Sequence, residues 1–318
     1  MDRLAFSVGG LLYSPAINPD VAAHVMRGDW PGLTSICLCL EDSIQDAALP
    51  QAEAQLRDTL RALGGMDAQA RPLVFVRVKD PEHLRRVSER IADVDGALTG
   101  YVFPKFDAGN AARYLDGLAR INDRRAAHFY GMPILESRAI ADIRTRAGEL
   151  DAVRRVLDAH RPAILNVRVG GNDFCNLFGL RRNASQTIYD IGVVRDILVD
   201  IVNVFSDDYV VSGPVWEYYG KDPDDAWAAG LRRELALDLA NGFVGKTAIH
   251  PSQLPVISES LKAPAADAAD AARILNWSDV RLAVAGSADG GRMNEVKCHG
   301  RWAERILRRA EIYGCREV

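Results

Sequence analysis

The sequence predicts an α/β fold, a (β/α)8 TIM barrel that carries a helical C-terminal extension. Three observations predict it. Short apolar runs of strand character alternate with segments of helical period along most of the chain, the pattern of βαβ units around a parallel sheet. Eight such runs precede residue 250, which matches one barrel of about 250 residues. The glycine fingerprint G-x-G-x-x-G is absent after the first run, which disfavours a doubly wound dinucleotide-binding sheet.

The strand runs are 10–14, 34–40, 72–78, 98–104, 128–135, 163–169, 208–212 and 243–249, each closed by a polar, Gly or Pro break. Helical periodicity fills the intervals at 51–63, 81–91, 108–121, 150–160, 188–205 and 225–241. The character changes beyond Ile249. An alanine-rich segment at 263–272 leads to a glycine-rich loop at 285–291, and a basic amphipathic helix from about residue 300 to 313 closes the chain. The division expected is a catalytic barrel over 1–255 and an extension over 256–318. The extension is too short for an independent domain, so it is expected to pack on the barrel or on a neighbouring subunit.

Composition narrows the class. Lys and Arg number 39 against 43 Asp and Glu, a net charge of −4. No broad basic field exists, which argues against nucleic acid as a partner. No apolar run reaches the ~18 residues of a membrane helix, and the first residues lack a signal-peptide pattern. Five scattered cysteines fit neither a disulfide framework nor a zinc spacing. Reduced thiols and a cytoplasmic location are expected.

Catalytic groups of a parallel barrel sit at the C-terminal ends of its strands. There the sequence places Glu41-Asp42-Ser43, Arg77 with Lys79-Asp80, Pro104-Lys105, Glu136-Ser137-Arg138, Gly170-Gly171-Asn172-Asp173, and Lys246 with His250-Pro251. Acids at three ends (Glu41 with Asp42, Glu136, Asp173) face bases at three others (Arg77, Lys105, Lys246). Carboxylates without His or Cys partners suit a hard ion, and Mg²⁺ takes one or two of them and completes its shell from water and substrate. Glu136 and Asp173 are the candidates for those ligands. Arg77 suits bidentate capture of a substrate carboxylate. A cation polarising a keto oxygen beside such a clamp stabilises an enolate, as C–C cleavage or condensation requires. Each residue also has a structural reading. Asp42 and Asp173 could cap the helices that follow, Arg77 could serve an ion pair within an apolar strand, and Lys246 could solvate a loop.

The stretches Leu38–Ser43, Val76-Arg77-Val78, Val102-Phe103-Pro104-Lys105, Pro133–Ser137, Gly170–Phe174 and, most specifically, the G-F-x-G-K-x-x-I-H-P-x-Q string at 242–253 together resemble the citrate lyase beta-subunit-like (HpcH/HpaI) aldolase family. The resemblance spans about residues 11 to 309. It implies a TIM barrel that binds Mg²⁺, or Mn²⁺ in its place, through Glu136 and Asp173. It implies substrate carboxylate binding by Arg77, with Glu41 and Asp42 supporting water at the metal and the hydrogen bonds of the site; Lys105, Gly171 and Asn172 are further candidates for substrate binding. Family members cleave or form C–C bonds in 3-hydroxy acids, commonly as coenzyme A thioesters. They assemble as homotrimers or hexamers whose C-terminal region reaches a neighbour's site.

The chain departs from that pattern at three places. The family's P-G-x-R, which helps hold coenzyme A, is replaced by Tyr13-Ser14-Pro15-Ala16-Ile17-Asn18. The acid supplied to the adjacent subunit is replaced in register by Glu295, the expected proton donor. Aromatic Trp216, with Tyr218 and Tyr219, stands where relatives carry smaller residues; its ring could close the pocket or serve as structure. His250 reads as a structural corner before Pro251, and Cys175 as packing. The leading expectation is a Mg²⁺-dependent C–C lyase or aldolase on a small hydroxy or oxo acid. The alternatives are an aldolase on a substrate free of coenzyme A and a catalytically silent scaffold.

Overall fold

The computed structural model describes residues 3–125, 128–288 and 290–317. Asp289 of the glycine-rich loop, residues 126 and 127, and the terminal residues 1, 2 and 318 lie outside them. Eight parallel strands form the barrel: β1 (Gly10–Pro15), β2 (Ser35–Cys39), β3 (Leu73–Arg77), β4 (Leu98–Phe103), β5 (Tyr130–Leu135), β6 (Val167–Val169), β7 (Val211–Ser212) and β8 (Lys246–Ala248). Each falls within, or one residue beyond, a run expected from sequence. Their order is β7-β6-β5-β4-β3-β2-β1-β8. A parallel bridge between Gly213 and Lys246 closes the ring.

The helices of the barrel are α1 (Arg3–Ser7), α2 (Val21–Arg27), α3 (Leu49–Gly64), α4 (Pro81–Arg90), α5 (Ala111–Asn122), α6 (Arg138–Ala141), α7 (Arg146–Ala159), α8 (Gly171–Leu177), α9 (Gly192–Phe205), α10 (Ala226–Ala240) and α11 (Gln253–Leu261). Their starts follow local chemistry. Asp80 precedes Pro81, and its carboxylate accepts from the His83 amide at 2.7 Å, an N-cap followed by proline at the first helical position. In α3 the residues Ala52, Leu56, Leu60 and Leu63 recur at helical spacing and are all buried.

Strand residues alternate between two apolar layers. Ile36, Leu38, Val74 and Val76 pack outward with Leu56, Leu60, Leu84 and Val87 of the surrounding helices. Cys37, Phe75, Val102 and Met132 fill the barrel interior. Both faces of each strand are buried, so the strands read in sequence as continuous apolar runs.

The extension comprises β9 (Ala263–Pro264), α12 (Ala265–Leu275), a hairpin of β10 (Val284–Gly286) and β11 (Met293–Glu295), α13 (Val296–Tyr313) and β12 (Cys315–Arg316). The hairpin occupies the glycine-rich region that the sequence reads as loop. Helix α13 lies across the N-terminal end of the barrel. Arg301 pairs with Asp207 ahead of β7, Arg305 donates to the Gly242 carbonyl ahead of β8, and Tyr313 donates to the Phe6 carbonyl ahead of β1.

Lys246 corrects an expectation. Its neighbour Thr247 faces the interior, so Lys246 points out of the barrel toward α10 and does not join the strand-end acids. Its ammonium donates to Glu234 Oε1 at 2.9 Å and Asp238 Oδ2 at 2.7 Å, all three groups essentially unexposed. The Ile188 amide and the Tyr189 hydroxyl also donate to the two acids, each at 2.7 Å, and the buried Arg182 guanidinium stands 3.4 Å from Glu234 Oε2. Lys246→Met leaves two buried carboxylates facing each other. It should lower the unfolding free energy in urea by roughly 3–5 kcal/mol; a loss under about 1 kcal/mol, the size of an ordinary surface change, contradicts this account.

Candidate active site

The C-terminal strand ends surround a cavity of about 470 Å³. Tyr13, Ser14 and Pro15 of β1, Cys39 of β2, Asp42, Arg77 of β3, Ile134 and Glu136 of β5, Arg168 and Val169 of β6, Gly170 to Asp173, Val215, Thr247 and Ile249 line it. Six strands and their loops therefore supply polar side chains to one space.

Glu136 follows β5 directly and is almost wholly buried. Its Oε1 accepts from the Lys105 backbone amide at 2.7 Å. Lys105 has φ +49°, the one non-glycine residue with positive φ among the described residues. Such a backbone costs on the order of 1–2 kcal/mol and collects at functional sites. Gly170 lies against the other side: a Cβ there would stand 2.1 Å from Glu136 Oε2, so only glycine leaves the carboxylate its place. Burial raises the Glu136 carboxyl to about 8, and the charge of neighbouring Asp173 adds to the rise. Asp173 sits in the first turn of α8 and lines the same cavity.

Two adjacent carboxylates, one of them desolvated, ask for a cation. Among the described residues no group of three or more His, Cys, Asp or Glu could hold a metal. The donor set is therefore two carboxylates, with water and substrate left to supply the remainder, and that fits Mg²⁺.

A second group stands beside it. Arg77 Nη2 donates to Glu41 and, at 2.6 Å, to Asp42 Oδ2. Lys105 Nζ donates to Glu41 Oε1 at 2.7 Å and to Asp42 Oδ1 at 3.3 Å. Glu41 is buried and also accepts from the Asp42 amide at 2.8 Å. Two acids and two bases thus hold one another, while Arg77 Nε is buried without a partner among the described residues. The Arg77 guanidinium lies 5.5 Å from the centre of the Tyr13 ring. Asp42 serves this network rather than a helix cap. Gly171 and Asn172 line the cavity, Asn172 with an Oδ1 that has no partner among the described residues.

Two residues from the sequence reading are not brought to the site. Trp216 is fully buried, its indole N–H donating to the Trp227 carbonyl at 3.0 Å and its ring under the Arg182 guanidinium. Val215 faces the cavity in its place. Glu295 opens α13, which lies against the opposite end of the barrel, and its carboxylate accepts from the Cys298 thiol at 3.2 Å. Among the other readings, His250 turns the corner into α11, bonded to Ser252 at 2.8 Å and stacked on Tyr219. The Cys175 thiol is buried and pushed up by desolvation, as a packing residue would be.

Sequence reasoning missed Tyr13, Thr247 and Arg168. The last had a usable signal. Val167-Arg168-Val169 repeats the pattern of Val76-Arg77-Val78, and the alternation that turns Arg77 inward turns Arg168 inward too.

Comparison with known proteins gives a consistent picture. Among solved structures, CitE of Mycobacterium tuberculosis in complex with magnesium, acetoacetate and coenzyme A superposes with TM-score 0.64 at 22% identity, covering 95% of this chain and 98% of that one. A citrate lyase from Burkholderia xenovorans LB400 superposes with TM-score 0.71 at 18% identity, over 98% and 93% of the two chains. RipC from Yersinia pestis gives 0.56 at 17% identity, over 83% and 99%. These likenesses bear out the barrel. No curated protein matches the chain. The family described as C–C bond lyase of the TIM-barrel fold matches residues 2–315, nearly the whole sequence, and the chain belongs to that family of lyases.

Proposed function

We propose that this lyase is Mg²⁺-dependent and cleaves or forms a C–C bond in a small hydroxy or oxo acid. The observation that carries the reading is the adjacent pair Glu136 and Asp173 at one wall of a strand-end cavity, beside an arginine anchored by its own acids. A magnesium ion held by that pair would offset the negative charge that develops on an enolate oxygen. The chain's own groups position the rest. Arg77, fixed through Nη2 by Glu41 and Asp42, presents its free Nε edge to a substrate carboxylate. Lys105 holds Glu136 through its backbone and Glu41 through its side chain. Pro15, Ile134, Val215 and Ile249 supply apolar wall that limits water. In the cleavage direction the 3-hydroxyl passes its proton to a carboxylate or water of the cavity and its oxygen forms the carbonyl of one fragment, while the electron pair of the breaking C–C bond passes to the departing enolate, which then takes up a proton.

Glu295 belongs to this reading only as a residue lent to a neighbouring subunit, since its own cavity lies at the other end of the barrel. Exposed Leu275, Val280, Leu282, Val284 and Met293 on the extension give apolar surface for such an assembly, a homotrimer or hexamer.

A second reading takes the acid free rather than as a coenzyme A thioester. It rests on Tyr13-Ser14-Pro15-Ala16, where the nucleotide-holding glycine and arginine are missing and where three of the four line the cavity itself. Thermal shift in Mg²⁺ separates the two, because stabilisation follows ligand concentration over Kd. Free oxo acids are expected to raise Tm, whereas coenzyme A added alone is not. A rise with coenzyme A alone contradicts the free-acid reading.

Glu136→Gln and Asp173→Asn test the main reading. Each should lower kcat by at least about a hundredfold, as loss of a principal electrostatic group does, with the fold intact by circular dichroism. A pH series adds a second readout. The folded Glu136 carboxyl lies near 8 against about 4.3 unfolded, so the folded state binds the extra proton between those values. In EDTA its contribution to stability is full below the lower value and is lost as pH rises through 8. Mg²⁺ should counter that loss more strongly at pH 8 than at pH 5, because the ligand must be ionised. In Glu136→Gln both dependences should vanish. Full activity in either variant, or after exhaustive chelation, overturns the reading.

A further inference from the structure

Arg168 is the least explained residue of the cavity. It lies in β6 between Val167 and Val169, which pack outward, and its own side chain is turned into the barrel with 1% exposure. Nη2 donates to Thr247 Oγ1 at 2.7 Å. Nε and Nη1 are buried and have no partner among the described residues. The side chains beside it, Thr247 and the Tyr13 phenol, are neutral, and among the described residues no carboxylate pairs with Arg168, in contrast with Arg77, whose charge is met by Glu41 and Asp42. A buried guanidinium without an anion costs several kcal/mol. A fold can retain such a group when a ligand supplies the missing charge.

Register places this cation relative to the acids. Arg168 pairs with Ile134, and two residues later Gly170 lies against Glu136. The Arg168 backbone is therefore roughly 6–7 Å deeper in the barrel than the Glu136 level, two strand residues along. Tyr13 and Thr247, hydroxyl-bearing residues of β1 and β8, line the same deep part of the cavity. Burial keeps the Tyr13 phenol protonated, so it remains able to donate a hydrogen bond.

We infer that Arg168 receives a second carboxylate of the substrate, so that the acid handled by this lyase is a diacid lying along the cavity. One end meets Arg77 and the Glu136–Asp173 pair, and the distal carboxylate meets the guanidinium of Arg168, whose Nε and Nη1 donors are unused. The inference rests on the reading of the site given under Proposed function and narrows its substrate class. The second Nη2 hydrogen forms a planar edge with either Nε–H or Nη1–H, which suits a carboxylate, and the low dielectric of the barrel interior strengthens the contact.

Matched ligands isolate the distal charge. Oxaloacetate, 2-oxoglutarate and 2-oxoadipate are each compared by calorimetric titration with the 2-oxo monoacid of equal chain length, in Mg²⁺ and in EDTA. At least one diacid should bind the wild type ten- to a hundredfold more tightly than its monoacid, the range for a hydrogen bond to a charged group. In Arg168→Met and Arg168→Gln that preference should fall to near unity while the monoacid affinities stay within about threefold. Ligand-free Arg168→Met should melt at or above the wild-type temperature, since an unpaired buried charge has been removed. A residue with only a structural role would lower it.

Equal binding of each pair by the wild type, or a preference that survives both variants, overturns the inference. The magnesium arm separates that failure from failure of the lyase reading. Loss of every Mg²⁺ effect with the diacid preference intact counts against the metal pair and leaves Arg168 supported. A Mg²⁺ effect without any diacid preference does the reverse.

Discussion

The two-residue alternation of a closed parallel barrel is the constraint on which the site depends. Once β8 pairs with β1 on one side and bridges to Gly213 on the other, every strand position is committed to the interior or to the helical shell. Arg77 and Arg168 stand in step with interior Phe75 and Ile134 and so face the cavity. Lys246 stands one residue out of step and faces α10. Charged residues of the same sign thereby receive opposite roles: the two arginines belong to the cavity, the lysine to a buried structural network with Glu234, Asp238 and Arg182.

Charge inside the barrel is not balanced locally, and this distinguishes the cavity from the rest of the core. The outer network is: Glu41 and Asp42 meet Arg77 and Lys105 group for group. Deeper in, Glu136 and Asp173 form an acidic wall with one carboxyl pushed up by burial, while Arg168 forms a cationic floor without a carboxylate. A cation at the wall and an organic acid along the cavity would together satisfy both. The net charge of −4 carries no trace of this arrangement, because the local excesses cancel over the whole chain.

Much of the fold was legible in the sequence. The eight apolar runs locate the eight strands because burial on both faces writes a continuous hydrophobic signal, and the helices between them keep a clear period. Short α6 and α8 escaped because too few residues are present to express one. The β10–β11 hairpin escaped because its strands are partly exposed and only three residues long. In the site, Glu41, Asp42, Arg77, Lys105, Glu136, Gly171, Asn172 and Asp173 were accessible to sequence as polar residues ending apolar runs. Lys246 was not placed correctly, since the parity of a strand is invisible until its register is known, and Trp216 was not because it lies in the loop beyond β7, where no period fixes the direction of a side chain. Arg168 was hidden by the same ignorance, enclosed by valines in a run read as core.

The most direct measurement of the central claim is a crystal structure of the protein grown with Mg²⁺ and a small 2-oxo acid. The account predicts a cation with oxygens of Glu136 and Asp173 in its shell at about 2.0–2.1 Å, and the acid in the cavity with a carboxylate against Arg77. A cation bound elsewhere, or an acid seated outside the cavity with Glu136 and Asp173 bare, would contradict it.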